Sequence, residues 1–515
     1  MNHDHQSAAS ARRVPWTQAL NVFFASFGFV AIRFILGPVR IKVLTSLLTK
    51  EQYGALTLIS LTVSFITLVA SLGSLEFLLR KVPGRPVYYQ NSIFKTILLF
   101  FGGVSVAVAL AGMGLLWWSP PSRIPLGPPE ILACGLLLVL TVHLNQYTHF
   151  LLGLSKYALS RIAQLLSADT WFLPLLVFFW VGTIQIGHVL WVWVIWLLFT
   201  VLIMQRYIHF PRVWSTKASR TELTEILQFG LPLVPMILGE WLFYLQDRYI
   251  LFHLMDLEAV ANYALCAGIA MVGTLVLGAV LDILLTEFFK LRNQVSGESL
   301  DALAGHAELR RSFTLMLRYT LLIGLPTAAA MLTLGRPIIR LLSDAKFLDA
   351  APILAWLAPF PVFYQLSVIC GRLLLGVNRS ALVGVATLLA ALANIPLNFL
   401  LVPHLGERGA ALSVSLCFFV LTLYLGWRAR VWKWVEWRDL GLARGLLFFL
   451  ACAVVFGQLE RWIGSWGVLA VLLVAGVWTL VAAVLLSLAR KTDLQLILGT
   501  FVQEPAAAPS ETPPV

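Results

Sequence analysis

Residues 151–159 read LLGLSKYAL and residues 374–382 read LLGVNRSAL, the same nonapeptide lightly edited and 223 positions further on, each time beside a long apolar run. A chain that repeats itself at such a spacing is built from two copies of one unit, so the fold turns on what the unit is. Composition supplies the medium: 59% of residues are hydrophobic, only 12% are charged, and the mean hydropathy is +0.85. Soluble domains carry about a quarter charged residues. The chain is therefore read as a membrane protein.

The formal net charge of +12 raises the question of nucleic acid. The basic residues stand singly or in small groups between apolar segments of about 20 residues, the length that crosses a bilayer core. That placement describes membrane topology, and no nucleic-acid partner is expected. The five cysteines, Cys134, Cys266, Cys370, Cys417 and Cys452, lie inside apolar segments with no CxxC and no histidine at metal spacing, and are read as packing residues. The first apolar run follows ARRVPW but is about twice the length of a signal-peptide core, so no cleavage is expected.

Fourteen spans are expected near 16–48, 54–75, 92–118, 130–152, 159–181, 187–207, 226–254, 258–289, 313–333, 350–374, 381–402, 409–427, 443–459 and 464–488, between polar or Pro/Ala-rich tails at 1–15 and 500–515 that are read as disordered. Of the 37 Lys and Arg, 26 fall on the even loops and tails or at the span ends beside them, 7 on the odd loops and 4 further within spans. This asymmetry puts both termini in the cytoplasm. Both nonapeptides then occupy a cytoplasmic turn, between spans 4 and 5 and between spans 10 and 11. The repeat unit is thus six helices, and its two copies share one orientation about an axis along the membrane normal. The expected fold is an all-α polytopic membrane protein: an N-lobe at 16–212, a C-lobe at 221–430 and two further helices at 443–488.

Four stretches then resemble a known family: LLTKEQYGALTLISL (47–61), FGLPLVP with LQDRYILF (229–252), LLSDAKFLDAAPILAWLAP (341–359) and ANIPLNFLLVPHLGERGAALSVSL (393–416). Together with both nonapeptides they make the chain similar to the polysaccharide-export branch, O-antigen flippases included, of the multidrug/oligosaccharidyl-lipid/polysaccharide (MOP) flippase superfamily. The resemblance implies a flippase in the bacterial cytoplasmic (inner) membrane that carries a polyprenyl-pyrophosphate-linked glycan by alternating access, as a monomer without a cofactor. A polysaccharide polymerase and glycosyltransferases would be its partners. Asp247 and Arg248 match the family's Asp-Arg pair.

Charges at mid-bilayer cost about 2.5–3.5 kcal/mol on insertion scales, so they face a polar interior or a partner. Arg33 lies mid-span 1, with Arg40 at i+7 on nearly the same face; either could offer a guanidinium fork to phosphate or form a structural ion pair. Lys42 points elsewhere and reads as interfacial. Glu240 lies mid-span 7, with Asp247 at i+7 and Arg248 next. A buried carboxylate there could bind a coupling ion or simply neutralise an arginine. Asp169, mid-span 5, has Leu392 as its repeat counterpart and is read as lining the cavity. Asp282 and Glu287 lie closer to the cytoplasmic end of span 8, where either a rim or gate role or plain solvation accounts for them. Asn394 and Asn398, at i and i+4 around Pro396, share a face and could bind sugar hydroxyls or pack helices. His143, Asn145, Gln146 and His149 read as a helix end at the headgroups, with no metal site. Trp117, Trp118, Trp432, Trp434 and Trp437 read as interfacial anchors.

Two rival functions are weaker. A glycan polymerase or ligase would need catalytic groups on sizeable outer loops, and no nucleophile-base arrangement or Walker motif is present. A multidrug or small-cation exporter of the same superfamily should offer anions to its substrate, whereas span 1 carries cations.

Overall fold

The computed structural model describes residues 32–33, 35–71, 73–83, 85–118, 126–154, 156–180, 184–231, 234–295, 299–377, 379–467, 473–479 and 481, without the side chains of some helical positions, Glu240, Asp282 and Glu287 among them. Every element among these residues is a helix. We number those that correspond to the expected spans: α1 (35–47), α2 (Lys50–Ser71), α3 (Val87–Trp118), α4 (Pro128–Gly153), α5 (Tyr157–Gln164), α6 (Ile186–Ile208), α7 (Val234–Leu254), α8 (Leu257–Gln294), α9 (Ala307–Thr333), α10 (Phe360–Leu375), α11 (Ser380–Leu405), α12 (Glu407–Arg428) and α13 (Leu442–Trp466). The region of span 14 lies mostly outside the described residues.

Ten helices among the described residues are long and apolar enough to cross a membrane. The other four expected spans each have a reason to differ. Only 35–47 of the first forms a described helix of length, the last is largely undescribed, and α7 carries Glu240, Asp247 and Arg248 within 21 residues.

Span 5 departs from the expectation of one continuous helix. Its α-helix ends at Gln164, a π turn covers Leu165–Asp169, and a 3-10 segment runs from Leu173 to Trp180. Pro174 explains the break, because it lacks an N–H for the carbonyl of Thr170 and its ring would collide there. Carbonyls freed inside a membrane must find other donors. The Trp196 indole donates to Leu166 O at 2.7 Å, and Arg40 donates to Ala168 O at 2.8 Å.

The helices form two lobes. In the first, α4 packs against α2, α3 and α6; in the second, α11 lies between α7 and α12, and α9 packs on α8 and α10. α13 attaches to the outer side of α9, where Phe448, Cys452 and Phe456 close over Ala329 and Leu334. Its other faces leave Leu446, Leu447 and Val454 exposed, as lipid contact requires.

The lobes meet along α2 with α7 and α8. Gly54 makes a close approach there: a Cβ at this position would overlap Leu257 O, so only glycine lets the two backbones touch. Near the same end, each lobe's lysine caps carbonyls of the other. Lys42 Nζ donates to Arg340 O and Ser343 O at the end of the short helix Gly335–Leu342, while Lys346 Nζ donates to Leu48 O at the end of α1, at 2.6 Å. Asp344 N donates to Thr45 Oγ1, Lys50 pairs with Asp349, and Tyr53 meets Phe347 edge to face. Lys42 is thus an inter-lobe contact, where its sequence position suggested an interfacial one. The loop charge count assigns this seam to the outer side.

Candidate substrate cavity between the lobes

A cavity of about 470 Å³ lies against this seam, walled by α1, α2, α4, the broken span 5 and α6 of the N-lobe and closed by α7 of the C-lobe. Its charged lining residues are Arg40 and Arg248, with no carboxylate among the described residues that line it. Thr57, Ser60, Ser64, Thr141, Asn145 and Ser167 supply hydroxyl and amide groups, and Trp171, Trp193 and Trp241 supply aromatic surface. Trp171 and Trp193 stack with ring centroids 4.5 Å apart.

The arginines of span 1 owe their roles to the break in span 5. Being seven residues apart, Arg33 and Arg40 share a helix face, and that face meets the π turn. Arg33 Nε lies 2.7 Å from Asp169 Oδ2, with Asp169 buried and Arg33 about half exposed. Arg40, about two turns nearer the seam, holds Ala168 O and lines the cavity. The structure therefore pairs Arg33 with Asp169 behind the cavity wall formed by Ser167, Ala168 and Trp171. Cavity lining, the sequence reading for Asp169, passes to its neighbours.

Successive residues on a helix point about 100° apart, and Asp247 and Arg248 divide accordingly. Arg248 faces the cavity, its guanidinium 5.4 Å from the Tyr263 ring centroid. Asp247 turns into the C-lobe and is fully buried. Its Oδ2 accepts from Tyr263 OH at 2.7 Å, and its Oδ1 accepts from Asn394 Nδ2 at 2.8 Å and Asn398 Nδ2 at 2.7 Å.

Asn394 and Asn398 require a correction. Both are fully buried and give their amides to Asp247, and Ser413 Oγ donates to Asn394 Oδ1, so they are packing residues of α11 and make no wall of the cavity. The shared face was legible, but a buried carboxylate takes the nearest donors, and that carboxylate is 147 residues away in sequence. Asn145 departs from its reading in the other direction, lining the cavity where a headgroup position was expected, while Gln146 is buried. Glu240 lies on α7 beside Trp241 in sequence, and Asp282 lies on α8; their side chains are outside the described set. Trp171 and Trp193 were missed. Their signal is position, since tryptophans at mid-span sit away from the interface that usually attracts them.

This architecture is shared with solved transporters. The lipid II flippase MurJ, in an inward closed conformation, superposes with a TM-score of 0.67 at 14% identity, over 90% of this chain and 98% of its own. An inward-facing multidrug resistance MATE family transporter of the MOP superfamily superposes with 0.62 at 15% identity, over 78% and 94%. The MATE multidrug transporter DinF-BH gives 0.54 at 13% identity, over 80% and 95%. At these identities the likeness is one of fold. The MatE family profile matches residues 304–400, from just before α9 through most of α11. An uncharacterized membrane protein of Methanocaldococcus jannaschii is 29% identical over 109 residues, which span 21% of this chain and 22% of that relative. The chain has the fold of the MOP-superfamily transporters.

Proposed function

We propose that this chain is a flippase that moves a polyprenyl-pyrophosphate-linked oligosaccharide across a bacterial cytoplasmic membrane by alternating access, for surface polysaccharide synthesis. The observation that carries the reading is the charge of the cavity: Arg40 and Arg248 face it without an acid among its described lining residues. Two guanidinium forks suit a pyrophosphate, and hydroxyl, amide and indole surfaces suit sugar rings. A cavity built to hold a cationic drug would carry the opposite charge. The likeness to the lipid II flippase also extends over more of this chain than the likeness to the MATE transporters.

In this reading the seam of lysines keeps the outer side shut while substrate enters from the cytoplasmic side. Anion export then runs with an inside-negative potential, by about 2.3 kcal/mol per charge across 100 mV. Arg40 and Arg248 hold the pyrophosphate, Arg33 with Asp169 fixes the span 5 break, and Asp247, Glu240 and Asp282 are the carboxylates available for ion coupling or gating.

The test is reconstitution in vesicles with two cargoes, a fluorescent lipid-linked oligosaccharide and a lipophilic cation. We expect translocation of the first only, reduced about tenfold or more by Arg40→Gln or Arg248→Gln at unchanged protein abundance, the worth of a charge-assisted hydrogen bond of about 1.5–3 kcal/mol. Export of the cation without translocation of the glycolipid would overturn the proposal in favour of a multidrug exporter.

A further inference from the structure

The duplication that opened the sequence reading also relates two cavities. Thr141, Leu144 and Asn145 of α4 line the cavity between the lobes. Moving each by the 223 residues that separate the nonapeptides gives Tyr364, Ser367 and Val368 of α10, and all three line a second cavity, of about 320 Å³, inside the C-lobe. The same helix of the repeat thus presents the same three positions to a cavity in both copies.

The second cavity differs in chemistry. Arg372 is the one charged side chain among its described lining residues. The hydroxyls of Ser367 and Thr387 give their protons to their own helices, at Tyr364 O and Val383 O, 2.6 and 2.9 Å away. They therefore offer lone pairs rather than donors. Deeper in the lobe the wall is hydrocarbon and aromatic, with Phe243 and Phe418 at 4.5 Å between centroids and Tyr364 against Phe418 at 5.4 Å. Arg372 stands two residues before the second nonapeptide, which the charge count places at the cytoplasmic headgroups, so the cation sits at the membrane surface and the apolar wall at chain depth.

We propose that the C-lobe cavity is a second binding site, for a phosphate monoester carried on a hydrocarbon chain of the cytoplasmic leaflet, with the phosphate on Arg372 and the chain between α7, α10, α11 and α12. A glycan fits poorly, because beside Arg372 the described lining adds only the Tyr364 and Ser380 hydroxyls as donors, too few for a ring of hydroxyls, and a free anion would gain nothing from the apolar wall. The site is separate from the cavity between the lobes, and its occupancy does not depend on which cargo that cavity moves.

Native mass spectrometry of the delipidated full-length protein tests it, with dioleoyl phosphatidic acid, a polyprenyl monophosphate and inorganic phosphate as probes. We expect one tightly held lipid phosphate, weakened about tenfold or more by Arg372→Gln, the usual worth of a charge-assisted hydrogen bond, and also by Thr387→Phe, which fills the cavity. Arg40→Gln should leave it in place. Arg372 is exposed, so removing its charge leaves the packing intact even if Thr387→Phe should fail to fold. Either lipid held in this way supports the site, and the tighter of the two names the source. Equal binding by wild type and Arg372→Gln, loss through Arg40→Gln instead, or displacement by inorganic phosphate alone would each overturn it. Because binding is read without transport, failure here leaves the flippase reading standing, and failure of transport leaves this site standing.

Discussion

Asp247 offers the sharpest separation of structural from functional charge. Its carboxylate takes three buried donors, from Tyr263, Asn394 and Asn398, and so ties α7 to α8 and α11. Asp247→Ala leaves Tyr263 and Asn394 without this acceptor and Asn398 with Asn394 O alone. Hydrogen bonds between membrane helices average about 0.6 kcal/mol and reach about 1.7, so three of them together give a loss of about 2–5 kcal/mol. Asp247→Asn keeps the shape and one carbonyl oxygen, which can accept from both asparagines, while its amide can donate to the Tyr263 hydroxyl. That variant should lose about 1 kcal/mol, less than the alanine variant, because both asparagines keep their acceptor and what goes unmatched is the Tyr263 O–H proton. Thermal unfolding in detergent ranks the three proteins, and glycolipid translocation in vesicles is measured on the same preparations. If Asp247 couples an ion to transport, Asp247→Asn is stable and inactive; if it only ties helices together, Asp247→Asn is stable and active. An asparagine variant as unstable as the alanine variant would refute the hydrogen-bond account, since the charge itself would then be what the C-lobe requires.

Other outcomes follow from the ion pair, the seam and the linker. Arg33→Ala strands the buried Asp169 and should cost about 1–3 kcal/mol, less than the 3–5 of a fully buried pair because Arg33 is half exposed; the double variant with Asp169→Asn should recover most of it, and additive losses in that cycle would show that the two do not interact. Lys42→Met with Lys346→Met should raise labelling of a cysteine introduced at Ser60 by a reagent added outside, as the lobes part there, and unchanged labelling would show that the seam does not hold the closed state. Glu222, on the helix Arg220–Gly230 before α7, contacts the Ser92 and Thr96 hydroxyls, each of which also has a backbone carbonyl for its single proton. Burial pushes its carboxyl above the usual range. The folded chain therefore holds this proton more tightly than the unfolded chain, so the contribution is full below the unfolded value and is lost as pH rises through the folded one. Glu222→Gln should flatten that pH dependence and stabilise the protein at pH 8, and an unaltered melting profile would count against it.

What the sequence made legible was whatever depends on neighbours along one helix. Span lengths, the i+7 face shared by Arg33 and Arg40, the i+4 face of Asn394 and Asn398 and the duplicated turn all follow from helical period and apolar length. What it hid was set by partners far along the chain. Lys42 finds its carbonyls 298 and 301 residues away, Asn398 finds Asp247 at 151, and Arg40 finds Ala168 at 128. The break in span 5 lies between these cases. Pro174 is a signal of interruption that the expectation of one continuous span passed over, and where the freed carbonyls find donors depends on Arg40 and Trp196, which only the packed lobe brings near.

The choice of lysine and carbonyl at the seam has an energetic sense of its own. A gate must hold one state by only a few kcal/mol if substrate is to shift it. Four inter-lobe hydrogen bonds, from Lys42, Lys346 and the Asp344 amide, contribute about 2–6 kcal/mol at the usual net 0.5–1.5 each. The net value is small because water takes over both partners once they separate, and these groups lie at the end of the lobes where water can reach them. Apolar packing over the same area would be harder to open, since every exposed Å² costs about 25 cal/mol with nothing to replace it. At the same end of the contact Gly54 meets Leu257, and there the backbones touch with no side chain between them. The seam therefore combines one close backbone contact with hydrogen bonds that water can exchange, which is what a gate that must both close and part requires.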